Sequence, residues 1–264
     1  MAIRIGINGA AGRMGQRLVA LARDDTDLKI VAALEQASHP KLGADVGLVA
    51  GIGEIGVPLT DSLPEGVDVA IDFSVPQGTA AIVARCLAKK IPLVVATTGL
   101  EADWQDKIRQ AAGQIPLLWA PNMSPAVNLA MKLAETAARA LANHPSGADV
   151  EIIERHHRYK EDAPSGTALR FGEIIAAVMG QTEHTHGRSG RPGKRPHGEI
   201  GYHSLRTGDN PGEHTIVFGL LGETLELSVR ATNRDCYAHG ALAAAKFLAG
   251  KPPGLFTMND VLGL

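Results

Sequence analysis

Apolar residues alternate with small or polar ones over residues 3–7, give way to glycines at 9, 12 and 15, and then recur with helical spacing over residues 14–22. That pattern predicts a strand, a glycine turn and a helix. Further β-rich runs at residues 28–34, 67–73, 92–97 and 117–120, followed in turn by helix-like stretches, predict βαβ units and a parallel sheet with both faces covered. The texture changes after Asn122. Residues 126–141 carry one long Ala/Leu-rich helical pattern and 149–154 a β-branched strand; 199–206, 215–220 and 224–231 alternate as an antiparallel or mixed sheet would. Between them, QTEHTHGRSGRPGKRPHG at 181–198 is too rich in Gly, Pro, His and Arg for a regular element and is expected to be a long functional loop. An Ala-rich helical pattern returns over residues 236–248.

With 264 residues the chain has room for one large or two ordinary domains around a sizeable core. Its formal net charge of −2 gives no whole-molecule field to attract nucleic acid or an anionic membrane, so the ligand has to be argued from local sites. No run is long and apolar enough to span a bilayer, and the opening MAIRIGINGA reads as a strand rather than a leader; a cytoplasmic location is expected. Cys86 and Cys236 stand far apart without metal-ligand spacing, which suits a reducing compartment and two small buried side chains.

GINGAAGRMG at 6–15 follows a strand and opens a helix, and about twenty residues after Gly15 an acid, Glu35, ends the next strand. In a dinucleotide site the glycines let the backbone approach a pyrophosphate at the helix N-terminus, and the acid meets a ribose hydroxyl. Gln36, not a basic residue, follows the acid, which tilts the expectation from NADPH toward NADH. ATTG at 96–99 and APNMS at 120–124 fall where the carboxyl ends of strands gather, the ligand edge of an open parallel sheet. Asn122 is a candidate to orient a nicotinamide carboxamide. Ordinary strand-to-helix turns are the alternative for both stretches.

The densest chemistry lies in ERHHRYKEDAPSGTAL at 154–169. Ser165 is placed as an N-cap, with Gly166 and Thr167 opening a helix whose N–H groups suit a carboxylate or phosphate; Lys160 adds a full positive charge. A histidine side chain can gain or lose a proton near neutral pH, so of His156 and His157 one can deliver a proton while the other holds an anion. Solvated surface histidines and a plain helix cap are the bland readings. HHRYK lacks further ligands for zinc, so no metal is expected, and no nucleophile elbow surrounds Ser165.

These residues resemble the 4-hydroxy-tetrahydrodipicolinate reductase family, also called dihydrodipicolinate reductases, nearly end to end. The most specific part is E-x-H-H-x-x-K-x-D-A-P-S-G-T-A over 154–168, supported by the GRMG turn, TTG at 97–99, N-x-S-x-x-V-N over 122–128, GEHT at 212–215 and the closing GLFTMNDVL. The resemblance implies His156 and Lys160 as catalytic proton donors and His157, Gly166 and Thr167, with Ser165 beside them, as holders of a small cyclic dicarboxylate substrate. It implies a nicotinamide cofactor, NADH or NADPH, lined by Gly9, Ala10, Ala11, Gly12, Arg13, Met14, Glu35, Ala96, Thr97, Thr98, Ala120, Pro121, Asn122 and Met123.

The implied fold is α/β: a Rossmann-like parallel-sheet domain, 1–122 plus 233–264, and an α+β substrate and oligomerisation domain, 123–232, whose open mixed sheet is buried in a homotetramer. Here the chain departs from the family at Ala96, Ala11 and Gln36. Another two-domain amino-acid or aldehyde reductase, or a sensor that binds NADH without turnover, are the competing readings. The near-neutral charge and the lack of aromatic residues around Arg188, Arg191, Lys194 and Arg195 argue against a nucleic-acid partner.

Overall fold

The computed structural model describes residues 1–264. In chain order the elements are β1 (Ile3–Asn8), α1 (Arg13–Arg23), β2 (Leu28–Leu34), α2 (Val46–Val49), β3 (Leu59–Thr60), β4 (Val69–Asp72) and α3 (Pro76–Lys89). Then come β5 (Leu93–Val95), α4 (Ala102–Ala112), β6 (Pro116–Trp119), α5 (Pro125–Leu141), β7 (Asp149–His156), α6 (Gly166–Met179) and β8 (Glu183–His186). The chain ends with β9 (Glu199–Arg206), β10 (Glu213–Gly219), β11 (Thr224–Arg230), α7 (Asp235–Leu248), β12 (Gly254–Phe256) and α8 (Met258–Leu262). It divides into two compact units, Met1–Pro125 with Arg234–Leu264, and Ala126–Asn233.

The first unit holds a sheet in the order β12-β6-β5-β4-β1-β2-β3, in which every pairing is parallel. Strands of a parallel sheet are buried on both faces, and β4 is buried at every position. One core joins Ile5 and Ile7 of β1 to Leu18 and Val19 of α1 and to Ala241, Ala245 and Leu248 of α7. A second joins Leu93 and Leu117 to Ile82 and Val83 of α3 and Ile108 of α4. The strand order reverses between β1 and β4, which makes their carboxyl ends the crevice where ligands bind in such sheets.

In the second unit the sheet order is β11-β10-β7-β9-β8, with β10 antiparallel to both neighbours and β8, β9 and β7 parallel. Alternation along β7 turns Val150, Ile152, Glu154 and His156 to the covered face. There Val150 and Ile152 join a core with Ile200, Tyr202, Ile216 and Phe218 of the sheet, Phe171 and Ile175 of α6, and Val127 and Ala134 of α5. The opposite face carries Ile153 and Leu205, both exposed, among ion pairs from Glu151 to Arg188 and from Arg155 to Glu213.

Several sequence-based expectations need correcting. Residues 181–198 are not wholly irregular, because Glu183–His186 forms an edge strand parallel to β9. The rings of His184 and His186 stack on Tyr202, and His184 hydrogen-bonds the Tyr202 hydroxyl at 2.8 Å, so an aromatic neighbour stabilises a polar strand. Arg188 and Arg195 of the same stretch fold back onto Glu151 and Glu199 of their own sheet. Cys86 is buried as expected, whereas Cys236 is partly exposed. The short α2, β3, β12 and α8 are too brief for periodicity to mark them.

Candidate active site

At the carboxyl edge of the parallel sheet, Gly9 adopts φ +78°, and a Cβ there would lie 2.8 Å from the Phe73 carbonyl oxygen. Only glycine fits this turn. A Cβ at Gly15 would come within 2.1 Å of the Gly9 oxygen, so α1 can lie against the turn only because position 15 has no side chain. Gly12 is the N-cap of α1 and no side chain caps that helix, leaving its first turn to the backbone alone. Glu35 directly follows β2, and its carboxylate accepts the N–H of Ala11 at 3.2 Å and that of Gln36 at 3.3 Å. Turn, uncapped helix end and acid therefore stand together.

The other residues of the expected cofactor set divide by exposure. Gly12, Arg13, Thr98 and Pro121 are exposed, and Ala11, Met14, Glu35 and Asn122 half-buried. Ala10, Ala96, Thr97, Ala120 and Met123 are buried, so only their backbone or an edge of the side chain is available to a ligand. The Asn122 side chain accepts the Ser124 N–H at 2.9 Å, shaping the turn after β6.

Thr97 turns its hydroxyl inward to Asp72, a residue that sequence reasoning missed. The fully buried Asp72 carboxylate accepts hydrogen bonds from Asn8 (2.8 Å), Thr79 (2.5 Å), Thr97 (2.9 Å), and the Ser74 hydroxyl (2.6 Å) and N–H (3.2 Å). One side chain thereby ties the ends of β1, β4 and β5 and the start of α3. The only sequence signal was an acid at the end of an otherwise apolar run.

In the second unit, His156 ends β7 on the covered face, where the fold leaves it 8% exposed. Its Nδ1 lies 2.5 Å from Glu154 Oε2. Glu154 is gripped twice by Arg206, at 2.7 and 2.9 Å, and accepts the Ser165 N–H at 3.1 Å. Burial pushes the Glu154 carboxyl up, but hydrogen bonds from His156, Arg206 and Ser204 outweigh it and hold the group well below the usual carboxylate range.

Ser165 is the N-cap of α6: its Oγ accepts the Ala168 N–H at 3.2 Å and lies 3.0 Å from His214 Nε2. Space above Gly166 is open, with no atom within 4 Å of where a Cβ would sit. His157 opens the turn after β7, and its buried Nδ1 has no hydrogen-bond partner. Lys160 follows in that turn, its N–H bonded to the His157 carbonyl and its ammonium 2.7 Å from Asp162. His156, His157, Lys160, Ser165, Gly166 and Thr167 thus belong to one strand end, one turn and one helix start. No group of three His, Cys, Asp or Glu side chains stands close enough to hold a metal ion.

His214 lay inside the quoted GEHT without a role, and the structure sets its ring edge-on to His156 with centroids 5.3 Å apart. Burial, helped by the charge of His156, pushes His214 down to about 4, so it stays neutral in the folded state at neutral pH. A histidine with a lowered native value binds fewer protons folded than unfolded, so its contribution to stability is full above about pH 6.5 and falls toward pH 4. Urea unfolding at pH 7.5 and pH 5 should register up to about 2 kcal/mol of this dependence, with the lower stability at pH 5. Replacing His214 with glutamine should flatten that slope. An unchanged slope in the variant would assign the pH dependence to other groups.

Family models match both parts of the chain. The family described as dihydrodipicolinate reductase, N-terminus, matches residues 3–123, and its C-terminal counterpart matches residues 126–262. A 4-hydroxy-tetrahydrodipicolinate reductase of Rhodopirellula baltica is 53% identical over 99% of this chain and 96% of its own. One from Alkalilimnicola ehrlichii is 44% identical over the whole of both chains. Among solved structures, a dipicolinate-bound dihydrodipicolinate reductase from Paenisporosarcina superposes with a TM-score of 0.78 at 27% identity, covering 97% of this chain and 98% of its own. Matched in both halves and along nearly its whole length, the chain belongs to the dihydrodipicolinate reductase family.

Proposed function

We propose that this protein reduces 4-hydroxy-tetrahydrodipicolinate, the substrate in its relatives' names, to tetrahydrodipicolinate with loss of water, using NADH or NADPH. The observation that carries the reading is the buried His156, held by Glu154 next to the capped start of α6 and the Lys160 turn. Together they join a proton source to an anion site.

The Gly9 turn, the uncapped α1 end and Glu35 fit a dinucleotide: backbone N–H groups for the pyrophosphate and an acid for a ribose hydroxyl. Gly12, Arg13 and Met14 open that helix, with Ala10 and Ala11 in the turn, and Thr98, Pro121 and Asn122 add surface along the same sheet edge. Bound there, the nicotinamide supplies the hydride. Gln36 after Glu35 favours NADH, since no basic side chain follows the acid to pair with a 2′-phosphate.

Residues of the second unit do the rest. Gly166 and Thr167, at the N-terminus of α6, and Lys160 take the two substrate carboxylates, while His157 offers a buried ring nitrogen that has no partner within the chain. His156 and Lys160 are the proton donors: one proton goes to the substrate as hydride adds to the ring, and one leaves with the hydroxyl as water while a ring C–H proton is released as the new double bond forms. Net, one hydride and one proton enter and one water departs.

A homotetramer and a cytoplasmic location belong to the same reading. The exposed Ile153 and Leu205 on the uncovered face of the mixed sheet support the first, and no helix is long and apolar enough to cross a membrane.

The direct test follows NADH absorbance with the unstable substrate made in place from pyruvate and aspartate semialdehyde by the enzyme class that condenses them. Oxidation that needs both proteins is expected, with a higher kcat/KM for NADH than for NADPH. If NADH binds but is not oxidised, and 2,6-pyridinedicarboxylate gives no thermal shift, the sensor reading takes its place.

A further inference from the structure

Resting on the reading of His156 as a proton donor, we propose that Glu154, locked by Arg206, is the positioning residue that assigns work to the two ring nitrogens of His156. It keeps the proton on Nδ1 and leaves Nε2 as the atom that exchanges protons with substrate.

Glu154 and His156 are two residues apart on β7, so both side chains rise on the covered face of the sheet. The carboxylate receives Arg206 through both oxygens, the Ser165 N–H at Oε1, and Nδ1 of His156 at Oε2. An ionised carboxylate only accepts, so the short 2.5 Å contact requires the hydrogen to sit on Nδ1. Nε2 then carries the mobile proton.

Gly212 lies along the Nε2 edge of the ring and places no side chain there. A Cβ at Gly212 would stand 2.9 Å from Nε2, and the residue's φ of +154° excludes other side chains as well. The charged and titratable groups around the ring are Glu154 from its own strand, bound to Nδ1, Arg206 of β9, bound to that carboxylate, and His214 of β10, edge-on to the ring; Lys160, in the turn beyond, acts on His214.

Arg206 does more than neutralise. Held by both its terminal nitrogens and by the Asp162 carbonyl, it fixes the plane of the carboxylate, and with it the plane of the imidazole. It also draws charge from Glu154, so the pair stabilises a protonated ring without holding the proton too tightly to give away.

The first readout leaves the chain unmodified. Histidine-selective 15N spectra, with the His156 signals identified by their loss in His156→Ala, should give an Nδ1–H tautomer for the neutral ring; an Nε2–H tautomer overturns the proposal. The second readout is kinetic. Glu154→Gln should mix the tautomers and lower kcat about 10- to 100-fold with little change in the substrate KM, because it exchanges a charge-assisted hydrogen bond for a neutral one. Arg206→Met should lower kcat in the same way.

A Glu154→Gln enzyme with wild-type kcat, beside a His156→Ala enzyme that has lost it, overturns the positioning role and leaves the reductase reading intact. Full activity in His156→Ala as well would instead overturn the reading on which the proposal rests. Should the Glu154 and Arg206 variants prove unstable, the spectrum of the wild-type protein still decides.

Discussion

Replacing His156 with alanine should lower kcat by about 100- to 10,000-fold while the substrate KM changes little, the signature of losing a proton donor rather than a binding contact. The variant is expected to fold. Removing the ring takes one donor from Glu154, but Arg206 and the Ser165 N–H still satisfy the carboxylate, so no buried charge is left bare. Lys160→Met provides the contrast. The lysine is half-buried and reaches out of a turn, paired with the exposed Asp162, so its loss removes charge from the proposed anion site and should raise KM as well as lower kcat. Steady-state kinetics of the two variants, with melting temperatures as a check on folding, would separate the roles. Equal effects on kcat and KM in both would mean that the two residues act as one binding element, and unchanged kinetics would remove both from the site.

How much of this was legible beforehand depended on whether the signal was local. The run at residues 28–34 has the bounds of β2, because apart from the exposed Lys29 it is an apolar run between turn residues, as a strand buried in a parallel sheet tends to be. Ser165 as the cap of α6 was equally readable, since a cap and its helix are neighbours in sequence. The residues that hold the site rigid were not. Arg206 lies 52 positions from Glu154, and His214 lies 49 from Ser165; only the fold joins them. Edge strand β8 was missed for another reason: Glu-His-Thr-His looks polar and loop-like, and its stability comes from Tyr202 on the next strand. Local patterns therefore pointed to the candidate residues, and the sheet register shows which distant partners hold them.

The same distinction predicts where the nucleotide unit is most fragile. Asp72→Ala should destabilise the protein by about 3–5 kcal/mol, more than most single substitutions, because it breaks a buried network and adds a cavity. Asn8, Ser74, Thr79 and Thr97 would lose the acceptor on which they converge, with Asn8, Ser74 and Thr79 keeping only longer contacts to Ser74, Gly78 and Val75. For a chain of this size that corresponds to a fall of about 10 °C in Tm, readable by calorimetry. Asp72→Asn separates geometry from charge. Its oxygen can still face Asn8 and the Ser74 N–H, and its amide can donate to the Thr79 and Thr97 hydroxyls, which rotate to accept. If hydrogen-bond geometry is what the site needs, asparagine should recover most of the loss; an asparagine variant as unstable as alanine would make the negative charge itself the requirement. With the nicotinamide cofactor at the proposed edge, either variant should also weaken NAD(P)H binding before it unfolds the chain. The Asp72 hydrogen bonds fix the backbone just beyond β4 and β5, and it is against Phe73 that the Gly9 turn is packed. A loosened carboxylate therefore reaches the cofactor through one turn of backbone, and the rise in the NADH KM measures how tightly that edge was held.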